Sequence, residues 1–112
     1  MFHNPKCSKC RKTLELLKQK DIHPHLIEYL KEGIDKSYME NIITLSGQSP
    51  DSFLRQKQQE FAPYEKKFSN TPEAIAQILA ECPILLQRPV VIKHKQVVIA
   101  RPPELVCSLW DK

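Results

Sequence analysis

The chain has 112 residues, 41% of them hydrophobic and 27% charged, which fits one globular domain, 1–112, that needs no disulfide to hold it. Its 17 basic residues against 13 acidic leave a formal charge of +4, too small and too scattered to specify nucleic acid, so a small anion or an acidic protein is the expected partner. No run of about eighteen apolar residues and no signal-type apolar segment occurs, so neither membrane nor export is indicated and a cytoplasmic location is expected.

In chain order, Met1 to His3 reads as a strand stub that enters an Asn-Pro turn. From Ser8 the pattern turns helical, with Cys10, Leu14 and Leu17 on one face and Lys9, Lys12, Glu15 and Lys18 toward water, ending near Lys20. His25 to Leu30 reads as a second strand, broken by Gly33. Asp35 is an N-cap for a helix carrying Tyr38, Met39, Ile42, Ile43 and Leu45, which Ser46-Gly47 stops. A short helix near Ser49-Pro50-Asp51 carries Phe53, Leu54 and Arg55, then a polar run over 56–60 reads as exposed, with Phe61 and Tyr64 packing back. Thr71-Pro72-Glu73 combines an N-cap, a proline at the first helical position and an acid in the first turn, ahead of the stripe Ala74, Ile75, Ile78, Leu79 and Cys82. Pro89 to Lys93 and Gln96 to Ala100 read as a hairpin across the short polar break His94-Lys95, although that pair is poor turn chemistry and leaves a longer loop open. Pro102-Pro103-Glu104 opens a last helix with Leu105, Val106, Leu109 and Trp110 as its apolar side. This order describes an α/β fold, a mixed sheet covered by helices.

The chemistry concentrates in Asn4-Pro5-Lys6-Cys7-Ser8-Lys9-Cys10-Arg11. Cys7 stands near the N-cap, where unpaired N–H groups and the positive end of the helix dipole favour a thiolate, and Lys6, Lys9 and Arg11 add nearby cations. The same amides and charges suit an oxyanion held against the sulfur. Cys10, one turn on, is a candidate resolving thiol, a protection against oxidation, or a residue that merely fills the position. Cys82 and Cys107 lie on apolar stripes and read as packing; without a second close cysteine pair no metal site is expected. His3 reads as a packing or hydrogen-bonding residue, and His23, His25 and His94 as surface or turn residues. The only glycines, Gly33 and Gly47, exclude a Gly-rich phosphate loop.

Four segments taken together, His3 to Cys7, Phe53-Leu54-Arg55-Gln56-Lys57, residues 85–91 and Ala100-Arg101-Pro102-Pro103-Glu104, resemble the glutaredoxin-dependent arsenate reductases, the ArsC-like branch of the thioredoxin superfamily. The resemblance implies a thioredoxin-like, mixed four-stranded sheet flanked by helices, with a helical insertion and a first strand truncated to Met1-Phe2-His3, the true start lying upstream or the sheet being reduced. It implies that Cys7 is the nucleophile, that Arg55, Arg88 and Arg101 bind the oxyanion with Arg11 as a helper, and that the peptide before Pro89 is cis. It also implies arsenate or a similar small oxyanion as substrate, glutathione as co-substrate with no bound cofactor, and glutaredoxin as protein partner. Family enzymes commonly carry serine where this chain has Cys10. That departure keeps two alternatives open: a redox-sensing regulator resembling Spx that binds RNA polymerase, and a plain Cys-X-X-Cys dithiol oxidoreductase. The arginine before Pro102-Pro103-Glu104 argues against the first.

Overall fold

The structure, a computed structural model, describes residues 1–66, 68–93 and 95–109, the side chains of 108 and 109 excepted. His94 and Trp110, read above as a turn residue and a core residue, lie outside the described residues, as does the side chain of Leu109. Two compact units make up the chain: one combines residues 1–32 with 88–112, and the other is the intervening segment 33–87.

The first unit opens with α1, Ser8–Gln19, which buries Cys10, Thr13 and Leu17 on one face. Thr13, a β-branched polar residue in mid-helix, satisfies its hydroxyl on the Lys9 carbonyl at 2.8 Å. Strands β1, Val90–Lys93, and β2, Gln96–Ile99, pair antiparallel with Val90 opposite Ile99 and Lys93 opposite Gln96. That pairing is the hairpin expected from the sequence.

Phe2 extends this hairpin by single bridges, antiparallel to Val90 and parallel to Ile27. Its N–H donates to the Val90 carbonyl at 2.9 Å, and the His3 N–H to that of Ile27 at 2.9 Å. Among the described residues the regular sheet is therefore two-stranded. The strand expected over His25 to Leu30 shrinks to the Ile27 bridge because the chain turns helical at once in α2, Tyr29–Glu32. The cause is local: the Glu32 carboxylate reaches back to accept from the Glu28 N–H at 2.9 Å, which closes a helical turn in place of extension. Tyr29 is buried and meets the Phe2 ring edge-on at 6.4 Å, while Leu30 points out, 48% exposed.

The C-terminal helix is a 3₁₀ helix, Pro103–Leu109, and its period corrects the expected apolar side. Three residues per turn align Pro103 with Val106, both buried, and leave Leu105 46% exposed. Met1, Cys7, Cys10, Leu17, Val91, Ala100 and Val106 form the buried centre of this unit, with Leu14, Ile22 and Val98 packed against it. Burying each large aliphatic side chain there contributes about 1.5–3 kcal/mol.

The second unit is helical. In α3, Lys36–Ser46, the Asp35 side chain accepts from the Tyr38 N–H at 2.8 Å, and Gly47 closes the C-terminus at φ 68°, where a Cβ would be strained. In α4, Pro72–Glu81, the Thr71 hydroxyl caps the Ala74 N–H at 3.2 Å. The two helices pack through Met39, Ile42 and Ile43 on one side and Ile75, Ile78 and Leu79 on the other, all nearly inaccessible to solvent. Short 3₁₀ helices Pro50–Phe53, Gln59–Tyr64 and Pro83–Leu85 join them, so the last two residues of the polar run 56–60 are helical, and Phe61 is buried as expected. No helix among the described residues is long and apolar enough to cross a membrane.

Candidate functional site

An Asn-Pro turn sets the thiol in place. The Asn4 side-chain oxygen accepts from the Lys6 N–H at 3.1 Å and its carbonyl accepts from the Cys7 N–H at 3.0 Å, which delivers Cys7 to the first position before α1. Cys7 keeps extended backbone angles, φ −91° and ψ 122°, while its carbonyl accepts from the Arg11 N–H at 3.0 Å. It is the N-cap expected from the sequence, and it is buried, 8% exposed.

Its sulfur does not close a regular side-chain cap, yet the surroundings favour the anion. Burial raises the Cys7 pKa, but the Cys10 backbone N–H, a hydrogen bond from the Arg88 guanidinium, the charge of that guanidinium and the Cys10 thiol outweigh it, so the thiol ionises below its ordinary range. The cation at the sulfur is therefore Arg88. Lys6, Lys9 and Arg11, which sit beside Cys7 in sequence, have exposed side chains.

Arg88 reaches the sulfur from the start of β1. It precedes Pro89 across a cis peptide, as the resemblance implied, and Val90 is tied directly to Phe2. Its Nε and Nη1 are buried and have no hydrogen-bond partner. Two orphaned donors on one guanidinium are costly, each of order 1–3 kcal/mol, so they mark a place where an acceptor fits. Arg101 comes to the same strand end: its Nη1 donates to the Arg88 carbonyl at 3.2 Å, and the Ala100 N–H donates to the Pro89 carbonyl at 2.9 Å. A second cis peptide, Arg101-Pro102, was not foreseen.

Of the expected site residues, the structure thus gathers Cys7, Cys10, Arg88 and Arg101 in one unit and leaves Arg11 exposed. Arg55 belongs to the helical unit, where its Nη1 donates to the Ile84 carbonyl at 3.1 Å and its N–H to the Leu85 carbonyl at 2.8 Å. Cys10 is fully buried; burial, and next the negative charge and hydrogen bond of Cys7, push its thiol up to about 12, against the Asn4 N–H and Arg88, which favour its anion. Cys82 caps α4 and is pushed up by burial and by Glu60. Among the described residues no three His, Cys, Asp or Glu side chains group as a metal site.

Two features were not singled out from the sequence. Asn4 acts on both thiols, through its carbonyl to the Cys7 N–H and its own N–H to the Cys10 sulfur. A cavity of about 390 Å³ opens beside the same turn, lined by His3, Asn4, Pro5, Lys6, Glu28 and Leu30, among others. His3 is buried with Nδ1 unpartnered, and burial lowers its pKa against the opposing charge of Glu28. The Asn-Pro dipeptide was the available signal for the first; nothing local signalled the second.

A family model described as the ArsC family matches residues 2–108. The chain is 32% identical over 111 residues to the uncharacterized protein YfgD of Escherichia coli K12, covering 97% of this chain and 93% of that one. It is 33% identical over 112 residues to arsenate reductase ArsI2 of Synechocystis, covering 99% and 80%. Among solved structures, an arsenate reductase from Vibrio cholerae superposes with a TM-score of 0.86 at 32% identity, covering 96% of this chain and 92% of that one.

Proposed function

The chain belongs to the ArsC family, and from that premise we propose that it is an arsenate reductase in which the Cys7 thiolate attacks arsenate held by arginine. The observation that supports this most directly is the Arg88 guanidinium, which favours the Cys7 thiolate while two of its nitrogens, Nε and Nη1, are buried without acceptors. Arsenate carries negative charge that repels a thiolate, so attack requires a fixed cation that neutralises the oxygens and aims the arsenic at sulfur. A planar fork of N–H donors suits a tetrahedral oxyanion better than an ammonium does. Arg101, which donates to the Arg88 carbonyl, holds that strand end and presents a second guanidinium. Arg55 and Arg11 enter the proposal on the family motif alone.

Attack forms a Cys7 S–As bond and expels one arsenate oxygen as water. A second thiol must then attack the Cys7 sulfur so that the S–As pair stays on arsenic and arsenite leaves. In this reading glutathione and glutaredoxin return the chain to its reduced state in the cytosol, and the Ile27 and Phe2 bridges are the reduced remnant of a four-stranded thioredoxin-like sheet.

The test is arsenate-dependent NADPH oxidation coupled through glutathione reductase and glutaredoxin. The wild-type chain is expected to support it and Cys7→Ser to abolish it. No arsenate-dependent rate above background, or an undiminished rate in Cys7→Ser, would overturn the reading.

A further inference from the structure

We propose that Cys10 is the resolving thiol of an internal redox pair: once arsenate is bonded to the Cys7 sulfur, Cys10 attacks that sulfur, and the chain itself delivers both electrons that convert arsenate to arsenite. This rests on the arsenate reductase reading and replaces glutathione at one step of it.

The geometry of the helix start carries the proposal. Cys7 caps α1 and Cys10 lies three residues on, a spacing at which the Cα atoms fall within the roughly 4.4–6.8 Å span a disulfide requires. Both sulfurs belong to the same buried cluster, close enough that each shifts the ionisation of the other. Cys10 has no exposed surface, so it meets no thiol from outside and has Cys7 as its reaction partner. A serine at this place could not form the S–S bond.

The surroundings also order the steps. While Cys7 is a thiolate, burial first and then the Cys7 charge keep Cys10 protonated. Bonding of arsenic to Cys7 removes that charge, whereas the Asn4 N–H and the Arg88 charge stay to favour the Cys10 anion. The second thiol is thus restrained until the first has reacted. In the resolving step the Cys10–Cys7 S–S bond forms, the S–As bond breaks with its electron pair on arsenic, and the Cys10 proton passes to an arsenite oxygen. Across both steps two thiols and arsenate become one disulfide, arsenite and water, and an external thiol is needed only to reduce the disulfide afterwards.

The experiment is a single turnover of the fully reduced, desalted protein with arsenate and no added thiol. Arsenite is measured, and the cysteine linkage is mapped by peptide mass spectrometry. The expected result is about one arsenite per chain, a Cys7–Cys10 linkage, loss of the burst in Cys10→Ser, and its retention in Cys82→Ser and Cys107→Ser. Arsenite formed only when glutathione is supplied would overturn the inference and leave the arsenate reductase reading standing. Arsenite formed under neither condition would overturn both, and a burst lost in Cys82→Ser or Cys107→Ser with the linkage mapped elsewhere would overturn the assignment of Cys10. Should Cys10→Ser fail to fold, the linkage in the wild-type chain decides.

Discussion

Replacing Arg88 by methionine should separate stability from catalysis. In the folded chain Nε and Nη1 of Arg88 are buried donors without acceptors, and each such donor costs about 1–3 kcal/mol. Methionine fills a similar length and removes both, at the loss of the hydrogen bond to Cys7, itself worth about 1.5–3 kcal/mol when the sulfur is charged. The net change in folding stability therefore runs from about 1 kcal/mol against the variant to about 4.5 kcal/mol in its favour. In the reaction the sign reverses. Two charge-assisted donors lost from the anion, at about 1.5–3 kcal/mol each, lower kcat/KM by about 10²- to 10⁴-fold. The Cys7 thiol also ionises at higher pH without the guanidinium. Activity that needs the thiolate falls as pH drops through the Cys7 pKa, so the acid limb of the rate profile moves to higher pH in R88M. Urea unfolding, the coupled NADPH assay across pH and ultraviolet titration of the thiolate measure the three effects. A variant that keeps kcat/KM within about threefold of wild type, or that loses stability by several kcal/mol along with activity, would refute the reasoning.

The remaining predictions concern stability. The Cys10 thiol is held at about 12, above its ordinary value of 9.0, so the neutral form contributes stability that is fully present below 9.0 and is lost as pH rises toward 12. The urea midpoint of the wild-type chain should therefore fall across that interval and that of Cys10→Ser should fall less; parallel curves would show that Cys10 is not the group responsible. Asp35→Ala and Thr71→Ala each remove a side-chain acceptor from a helix N-terminus and should each destabilise the chain by about 1 kcal/mol in denaturant titration. A cost below about 0.3 kcal/mol would mean that water caps those amides equally well.

Local signals in the chain are legible and distant ones are not. Cys7 ahead of α1, Asp35 and Gly47 at the two ends of α3, and Thr71-Pro72 ahead of α4 each depend on side chains within four residues of the backbone groups they satisfy, and all stand where the sequence placed them. The strand over 25–30 failed because a cap between Glu28 and Glu32 competes with extension, a choice that alternation of apolar residues does not reveal. A 3.6-residue period puts Leu105 on the apolar side of the last helix, whereas the 3₁₀ geometry has a period of three and leaves it exposed. The neighbours of Cys7 in sequence do not supply its cation. Arg88, brought by strand pairing, does; its place before a proline at the start of an apolar strand marks it as an arginine aimed across a sheet end, but not that it meets this sulfur.

The division of the chain bears on how the protein is made. Segment 33–87 is continuous and its helices close over short distances, so on a ribosome it can fold while the remainder is still being synthesised. The unit holding Cys7 cannot, since Phe2 must wait for Val90 and the sulfur for Arg88. A nascent or truncated polypeptide thus carries its thiol without the guanidinium, and full nucleophilic character arrives only when the two ends of the molecule have met.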